Sequence, residues 1–344
     1  MKENINQKIT GYNNNKGLKY IQVHLKKYQL LMNTFIPEEV SWLKKIFITI
    51  DFVCCVVKYG AGINDYFQYN FYKRKAIDRK NFIVGRKWKK IIKICNGKVN
   101  QSLFDDKSQF NRVYLKYLGR EWLDLDECNY EEFEKFLQKH SKVICKIKQG
   151  SGGNGIEIFD SDKSKNLEEN YTELKKNHVI LEELIEQQKE MAEFNPSSVN
   201  TMRLVTIKEG EEVYLMNAVF RTGNGEGCTD NFHHYGLAAL IDVKTGIVYT
   251  PAVDKENHQY IIHPLSKKQI IGFNIPNWND IVDTVKDAAK VMPNVRYVGW
   301  DIALNTEGKA CIIEGNCASD PDITQMPDQI GKWDQYKKII KKYK

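Results

Sequence analysis

Val298-Gly-Trp-Asp301-Ile-Ala-Leu-Asn305-Thr-Glu-Gly308-Lys-Ala-Cys-Ile-Ile-Glu314-Gly-Asn316 reads as a β-hairpin that carries three oxygen ligands on one face. Residues 298–304 and 310–314 alternate like strands, and Asn305-Thr-Glu-Gly308 has hairpin-turn chemistry, with glycine where a positive φ is needed. If Leu304 pairs with Lys309, Asp301 stands opposite Ile312. Period-two alternation then puts Glu314 and Asn316 on the face of Asp301, within diagonal reach at roughly 7–8 Å. Two carboxylates and an amide oxygen suit Mg²⁺, a small hard ion that takes one or two protein carboxylates and fills its other positions with water and phosphate. The alternative is a solvated edge hairpin with scattered acids.

A chain of 344 residues exceeds a single core, so two or three lobes with a cleft are expected. The formal net charge is +7, and six of the thirteen residues 332–344 are lysine. That basic tail offers contact with a polyanion or peripheral contact with a membrane, or is a frayed, solvated helix. Nucleic acid is not an expected partner: there is no zinc-finger spacing and no basic motif interleaved with aromatics. Eight cysteines without a CxxC pair look like the buried, reduced thiols of a cytoplasmic protein. Residues 1–19 are polar and lack the apolar stretch of a signal peptide. Residues 46–57 are apolar but few, and they include Asp51, which reads as a buried helix rather than a membrane span.

Helical periodicity runs from residue 20 to about 95, with Trp42, Ile46, Ile50, Val53 and Val57 marking an expected packed face. Further helices are expected over 107–117, 130–140 and 278–291. Short strands are expected over 143–147, 155–159, 179–181, 202–207, 212–220, 237–242 and 247–249. Helices first and mixed strands later imply an α+β fold rather than a regular βαβ series.

A second signal is Val143-Ile-Cys-Lys146-Ile-Lys-Gln-Gly150-Ser151-Gly152-Gly153-Asn-Gly155. A strand runs into a glycine-rich loop whose backbone amides can close over an anion, and Lys146 adds a point charge for phosphate. The loop is neither a Walker loop nor a Rossmann fingerprint, because no Gly-Lys-Ser/Thr ends it and a strand follows; a flexible hairpin tip is the alternative. His178-Val-Ile-Leu-Glu182-Glu183-Leu-Ile185 is an apolar strand ending in acids, a form that can pair adenine through main-chain groups and ribose through a carboxylate. Arg203 sits on an otherwise apolar strand and demands an anion, either a structural acid or a ligand. His233 and His234, after Asp230-Asn231, can line an acceptor site or be bystanders on a polar loop.

In this order the pieces resemble the ATP-grasp superfamily, and within it the sugar-transfer-associated branch found among bacterial polysaccharide genes. Tyr59-Gly60, Asp65-Tyr66, Arg79, Asn96, Asp106-Lys107, Lys146 to Gly153, Glu182 to Ile185, Asn200-Thr-Met-Arg203, Arg221-Thr-Gly, Asp230-Asn231, Gly299-Trp-Asp301 and Glu314-Gly-Asn316 carry the likeness. The resemblance implies an ATP-grasp fold of two α+β subdomains sandwiching the nucleotide. A helical N-terminal region over 1–98 would precede a nucleotide-binding subdomain over 99–190 and a metal-bearing subdomain over 191–331, with 332–344 as the basic tail. It implies that Lys107 and Lys146 hold ATP phosphates and that Gly150, Ser151, Gly152 and Gly153 form a lid. Glu183 and Ile185 would meet adenine through the backbone, and Glu182 would be a hinge or ribose contact, with Glu186 and Glu190 as alternatives for the ribose. Asp301, Glu314 and Asn316 would bind one or two Mg²⁺, and Arg203 and Arg221 would hold a carboxylate and the transferred phosphate. Asp230, Asn231, His233 and His234 would face the acceptor. Two departures stand out: Ile147 replaces the usual proline after the lysine, and Lys148 is a second candidate beside Lys146.

The implied reaction is ATP-dependent ligation of a small-molecule carboxylate, such as a sugar acid, to an amine or amino acid through an acylphosphate, in cell-surface polysaccharide assembly. A kinase and a non-catalytic nucleotide-binding subunit of a glycosyltransferase complex are the competing expectations.

Overall fold

The computed structural model describes residues 18–97, 102–150, 155–225, 232 and 236–343. Helices come first: α1 (Leu18–Phe35), α2 (Trp42–Tyr59), α3 (Gly85–Cys95) and α4 (Lys107–Val113). A four-stranded antiparallel sheet follows, from β1 (Trp122–Asp124), β2 (Lys142–Ile147), β3 (Ile156–Asp160) and β4 (Val179–Glu183), in the order β1-β4-β2-β3. Helices α5 (Tyr130–Lys139) and α6 (Leu167–Lys176) pack on it through Phe133, Leu137 and Tyr171, against Val143, Cys145 and Leu181. Asn129 starts α5 with a reciprocal capping box to Glu132, which satisfies two otherwise orphaned N–H groups.

The second sheet contains β5 (Thr201–Glu209), β6 (Glu212–Thr222), β7 (Leu237–Ile241), β8 (Ala252–Val253), β9 (Gln259–Tyr260), β10 (Tyr297–Leu304) and β11 (Ala310–Asn316), in the order β11-β10-β5-β6-β7-β8-β9. Its strands are antiparallel. Helix α7 (Trp278–Val291) covers one face, where Trp278, Ile281 and Val285 meet Trp300, Ile302 and Leu304. On the opposite face, Val205, Ile207 and Tyr297 pack with Ile91 and Cys95 of α3 and with Tyr336 and Ile340 of α8 (Trp333–Ile340). β10 is buried along its whole length because it is paired on both edges and covered on both faces.

The structure corrects four expectations. Asp301 pairs directly with Glu314, and Ile302 rather than Asp301 faces Ile312: Leu304 pairs with Ala310 instead of Lys309, and a bulge between Asp301 and Ile302 then shifts the ladder by one more residue. The expected strand over 247–249 is reduced to isolated bridges at Ile247 and Val248. The lysine-rich end is no solvated tail: Tyr336 and Ile340 of α8 are 1% and 5% exposed. Most consequentially, the stripe Trp42, Ile46, Ile50, Val53 and Val57 faces solvent, while Ile48, Cys55 and Tyr59 make the buried side of α2. Both stripes have helical spacing, so periodicity alone could not choose between them. Among the seven described cysteines, Cys54 is exposed and the other six are buried free thiols. No helix among the described residues is long and apolar enough to cross a membrane.

Asn96 ties α3 to the hairpin. Its amide donates to the carbonyls of Tyr297 (2.8 Å) and Cys317 (2.6 Å), and its oxygen accepts from the N–H groups of Arg296 (2.9 Å) and Tyr297 (2.8 Å). Asn96→Ala leaves these buried groups unpaired and is expected to cost about 3 kcal/mol in urea unfolding; a loss below about 1 kcal/mol would show that water replaces the amide.

Candidate active site

Asp301, on β10, stands between Glu314 of β11 and Arg203 of β5, its direct partners in the two neighbouring ladders. The pleat therefore lays Glu314, Asp301 and Arg203 in one row across three strands. Arg203 grips both Asp301 oxygens, through Nε and through Nη2 at 2.8 Å, and Arg221 adds Nη1 to Oδ2 at 2.9 Å. Burial pushes the Asp301 carboxyl up, but Arg203 and then Arg221 outweigh it and hold the group well below the usual carboxylate range. Arg203 also donates to Ser319 Oγ at 3.2 Å.

Two glycines make room for this row. A Cβ on Gly299 would come within 2.3 Å of Ser319 Oγ and 3.2 Å of Arg203 Cδ, and one on Gly315 within 2.8 Å of the Phe110 ring. The glycines in Gly299-Trp-Asp301 and Glu314-Gly-Asn316 are thus packing requirements of the site. Trp300, pointing the other way, is fully buried and donates from its indole to Thr206 Oγ1 at 3.0 Å.

Glu314 is water-accessible but recessed. Its enclosure and the adjacent Asp301 carboxylate push its carboxyl up, while Arg203 and Lys146 oppose the shift. Asn316 lies on the same face, opposite Gly299, and its Oδ1 accepts from the N–H of Ala318 at 2.8 Å.

The small sheet supplies the cations. Lys146, near the end of β2, is 7% exposed and donates to Glu182 Oε2 at 2.6 Å. Glu182 also accepts from Arg120 Nε at 2.8 Å and from Asn111 Nδ2 at 2.9 Å. Burial works against its ionisation, yet Arg120 and Lys146 keep it well below the usual range. Glu182 therefore takes three protein donors, is 2% exposed and orients Lys146. Lys107, which follows the Asp106 N-cap of α4, donates to the carbonyls of Ile147 (3.1 Å) and Gly150 (2.8 Å). Burial lowers its pKa, with Glu314 chief among the groups opposing the shift. Lys148 is engaged elsewhere, 2.6 Å from both Asp124 and Asp126.

Glu183 continues the β1–β4 pairing, its N–H donating to the Glu121 carbonyl at 2.9 Å. Beyond it the chain leaves the ladder, with Ile185 half-buried and Glu186 and Glu190 exposed. Ser151, Gly152, Gly153, Asp230, Asn231, His233 and His234 lie outside the described residues.

The family comparison agrees with this arrangement. The sugar-transfer associated ATP-grasp family matches residues 88–341, well over half of the chain. The chain belongs to the sugar-transfer associated ATP-grasp family. Its fold is accordingly ATP-grasp, α+β with a helical N-terminal region. Among solved structures it is similar to the ATP-grasp ligase PsnB with a minimal precursor, at 12% identity and a TM-score of 0.46, covering 73% of this chain and 64% of that one. It is also similar to a RiPP-associated ATP-grasp ligase of Chryseobacterium gregarium in complex with ADP and peptides (14%, 0.41, 75% and 67%). A third is the N5-carboxyaminoimidazole synthetase of Staphylococcus aureus with ADP (8%, 0.41, 67% and 52%). The chain spans less than two thirds of the PsnB chain. No curated protein sequence matches it.

Sequence reading of this ATP-grasp chain missed Arg120, Asn111 and Ser319, which hold Glu182 and Arg203 in place. It also missed the group around Asp320. Burial and then the Asp322 and Asp65 charges raise the Asp320 carboxyl well above its ordinary value, and Asp65 is pushed up to about 6, chiefly by burial. Arg120 was the one detectable in principle, since a buried arginine demands an anion, but nothing in the spacing names Glu182.

Because the folded Glu314 carboxyl titrates above an unfolded glutamate, its contribution to stability falls as pH rises through the raised value. Glu314→Gln is therefore expected to melt roughly 1–2 °C above the wild type at about pH 8, with the gap closing below about pH 4. Thermal melts of both proteins across that range measure it; a variant that melts lower at high pH would contradict the electrostatics.

Proposed function

We propose that this protein is a Mg-ATP-dependent carboxylate–amine ligase, acting in the cytoplasm on a sugar acid and an amine or amino acid during cell-surface polysaccharide assembly. One observation carries the reading: Lys107 and Lys146 of the small-sheet side face a row of Glu314, Asp301 and Arg203 on the large sheet. Cations for phosphate, oxygens for a metal and a guanidinium for an anion converge between the two sheets, as a transferred phosphoryl group requires.

The donor set fits Mg²⁺ in a specific way. Glu314 carries a raised carboxyl that a nearby cation would ionise, Asn316 offers an amide oxygen, and Asp301 is the third candidate although Arg203 and Arg221 neutralise it here. When bound, the ion supplies charge neutralisation for the phosphate oxygens. Lys107 and Lys146 hold the phosphates, and Gly150, Ser151, Gly152 and Gly153 close over them. Glu183 and Ile185 meet adenine through main-chain groups. We assign 99–190 to the nucleotide-binding half and 191–331 to the half that holds the metal and substrate.

Arg203 and Arg221 orient the substrate carboxylate. Its oxygen attacks the γ-phosphorus, the bond to ADP breaks, and an acylphosphate forms. The amine nitrogen then attacks the acyl carbon, expelling orthophosphate and losing a proton. Asp230, Asn231, His233 and His234 line the acceptor side. No protein nucleophile takes part, so catalysis rests on alignment, charge and exclusion of water from the activated acyl group.

Purified protein with Mg-ATP and a panel of sugar acids and amines is expected to release ADP and orthophosphate only when both a carboxylate and an amine are present, with product mass showing an amide. ADP with a stable phosphorylated product would make it a kinase, and intact ATP across the panel a nucleotide-binding subunit. Asp301→Asn and Glu314→Gln are each expected to lower turnover by roughly 100-fold or more while the protein stays folded; unchanged activity in both would remove the metal assignment.

A further inference from the structure

The outward side of α2 is apolar without interruption. Trp42, Ile46, Ile50, Val53 and Val57 form one stripe, with Trp42 69% and Val57 72% exposed. Leu43 and Phe47 lie beside it, also exposed. At 100° per residue these side chains and Cys54 span about 140° of the helix circumference, over a length of about 24 Å. A monomeric soluble surface rarely leaves so long an apolar strip uncovered. The opposite side of the same helix is already used: Ile48, Cys55 and Tyr59 pack into the core with Tyr66 and Phe67.

Three of the four charges of α2 are lysines: Lys58 lies about 20° beyond the Phe47 edge of the strip, Lys44 about 60° beyond it, and Lys45 about 60° beyond the Trp42 edge. The single acid of α2, Asp51, falls between Lys58 and Lys44, where Arg79 offsets its charge at 2.7 Å and the Tyr66 hydroxyl donates to it at 2.8 Å. Alongside, α1 joins α2 through the Tyr28 hydroxyl, which donates to Thr49 Oγ1 at 2.9 Å. It adds exposed Tyr20, Ile21 and Leu25, together with Lys26. α2 carries four charged residues and is not apolar enough to cross a bilayer.

We infer that α2 is an in-plane membrane-docking helix, seated by its Trp42–Val57 strip in the interface of an anionic bilayer, with Lys44, Lys45 and Lys58 at the headgroups. An apolar strip with a tryptophan at one end and lysines along its margins matches the two attractions a bilayer surface offers, burial of side chains below the headgroups and pairing with lipid phosphate. Apart from the Trp42 indole at one end and the weakly polar Cys54 thiol, the strip presents no hydrogen-bonding side chain by which a protein partner would fix its register. The surface lies outside residues 88–341, the segment matched to the ATP-grasp family, and does not depend on the ligase assignment.

The test uses the full chain without nucleotide. It is expected to co-sediment with vesicles of phosphatidylglycerol and phosphatidylcholine and far less with phosphatidylcholine alone, and added salt should weaken the binding. Changing Phe47→Ser, Ile50→Ser and Val53→Ser together is expected to cut the bound fraction roughly tenfold or more, while circular dichroism and nucleotide binding are unchanged, because all three side chains face solvent. A second variant, Lys44→Gln with Lys45→Gln and Lys58→Gln, should lose the preference for anionic vesicles and the salt sensitivity. Equal vesicle binding by wild type and the serine variant would overturn the inference. So would absence of binding to both vesicles, including the case where analytical ultracentrifugation shows a dimer that the serine variant dissolves, which would make the strip a contact between two copies.

Discussion

One buried carboxylate sets the relation between the two sheets. Glu182 is the last residue but one of β4 in the small sheet, and its partner Arg120 also donates to the carbonyls of Ile312 (2.8 Å) and Ile313 (3.2 Å) on β11 of the large one. An ionised carboxylate taken out of water costs several kcal/mol, so the cluster contributes little net stability. Breaking it is another matter: removing one partner strands the rest, at about 3–5 kcal/mol. Lys146 is held in the same cluster, so the geometry that joins the sheets also aims an ammonium at the hairpin. The cluster is better understood as a device for fixing position than as a source of stability.

Across the cleft the charges are deliberately uneven. Asp301 has two arginines and stays ionised, whereas Glu314, one strand over, is left with a raised carboxyl and only longer-range help from Arg203 and Lys146. Within the row Asp301 has one arginine, Arg203, as a ladder partner and a second, Arg221, reaching over from β6, whereas Glu314 at the row's end has only Asp301 beside it. The row therefore has its cation deficit at the end nearest Lys107, where phosphate and an accompanying cation would meet it. Gly299 and Gly315 keep that row flat by leaving space for Ser319 and the Phe110 ring.

Much of this was legible in the chain. Alternation put Asp301, Glu314 and Asn316 on one face, and the structure agrees because two departures cancel: the pairing starts one residue further along, so Ile312 takes the face of Ile302, and the bulge, which inserts Ile313, returns Glu314 and Asn316 to the face of Asp301. Lys146 was legible as a cation near the end of a strand, where β2 places it. Arg120 and Asn111 were not, because they reach Glu182 over separations of 62 and 71 residues, which local pattern cannot encode. Trp42 and its stripe show a different limit: hydrophobic spacing reports that a face is apolar, not what it meets. On α2 both faces carry the period, and only tertiary packing selects the side with Ile48 and Tyr59.

That selection also joins the outer surface to the site. The buried side of α2 holds Tyr66, whose hydroxyl donates to the Ile48 carbonyl (3.1 Å) and to Asp51. The next residue back, Asp65, accepts from the N–H groups of Gly62 (2.7 Å) and Gly85 (3.2 Å) and shares its charge environment with Asp320 and Asp322 beside Arg203. Of these bonds the one from Tyr66 to Ile48 is buried, and the packing of Ile48, Cys55 and Tyr59 with Tyr66 and Phe67 seats α2 on the core. With its outer face on a bilayer, the row of Glu314, Asp301 and Arg203 would take up a fixed orientation to that surface, because the same helix supplies both the docking strip and the packing that carries Asp65. An apolar face with no structural duty is costly to keep in water, and this one is carried by the helix whose other side packs around Tyr66, next in the chain to Asp65.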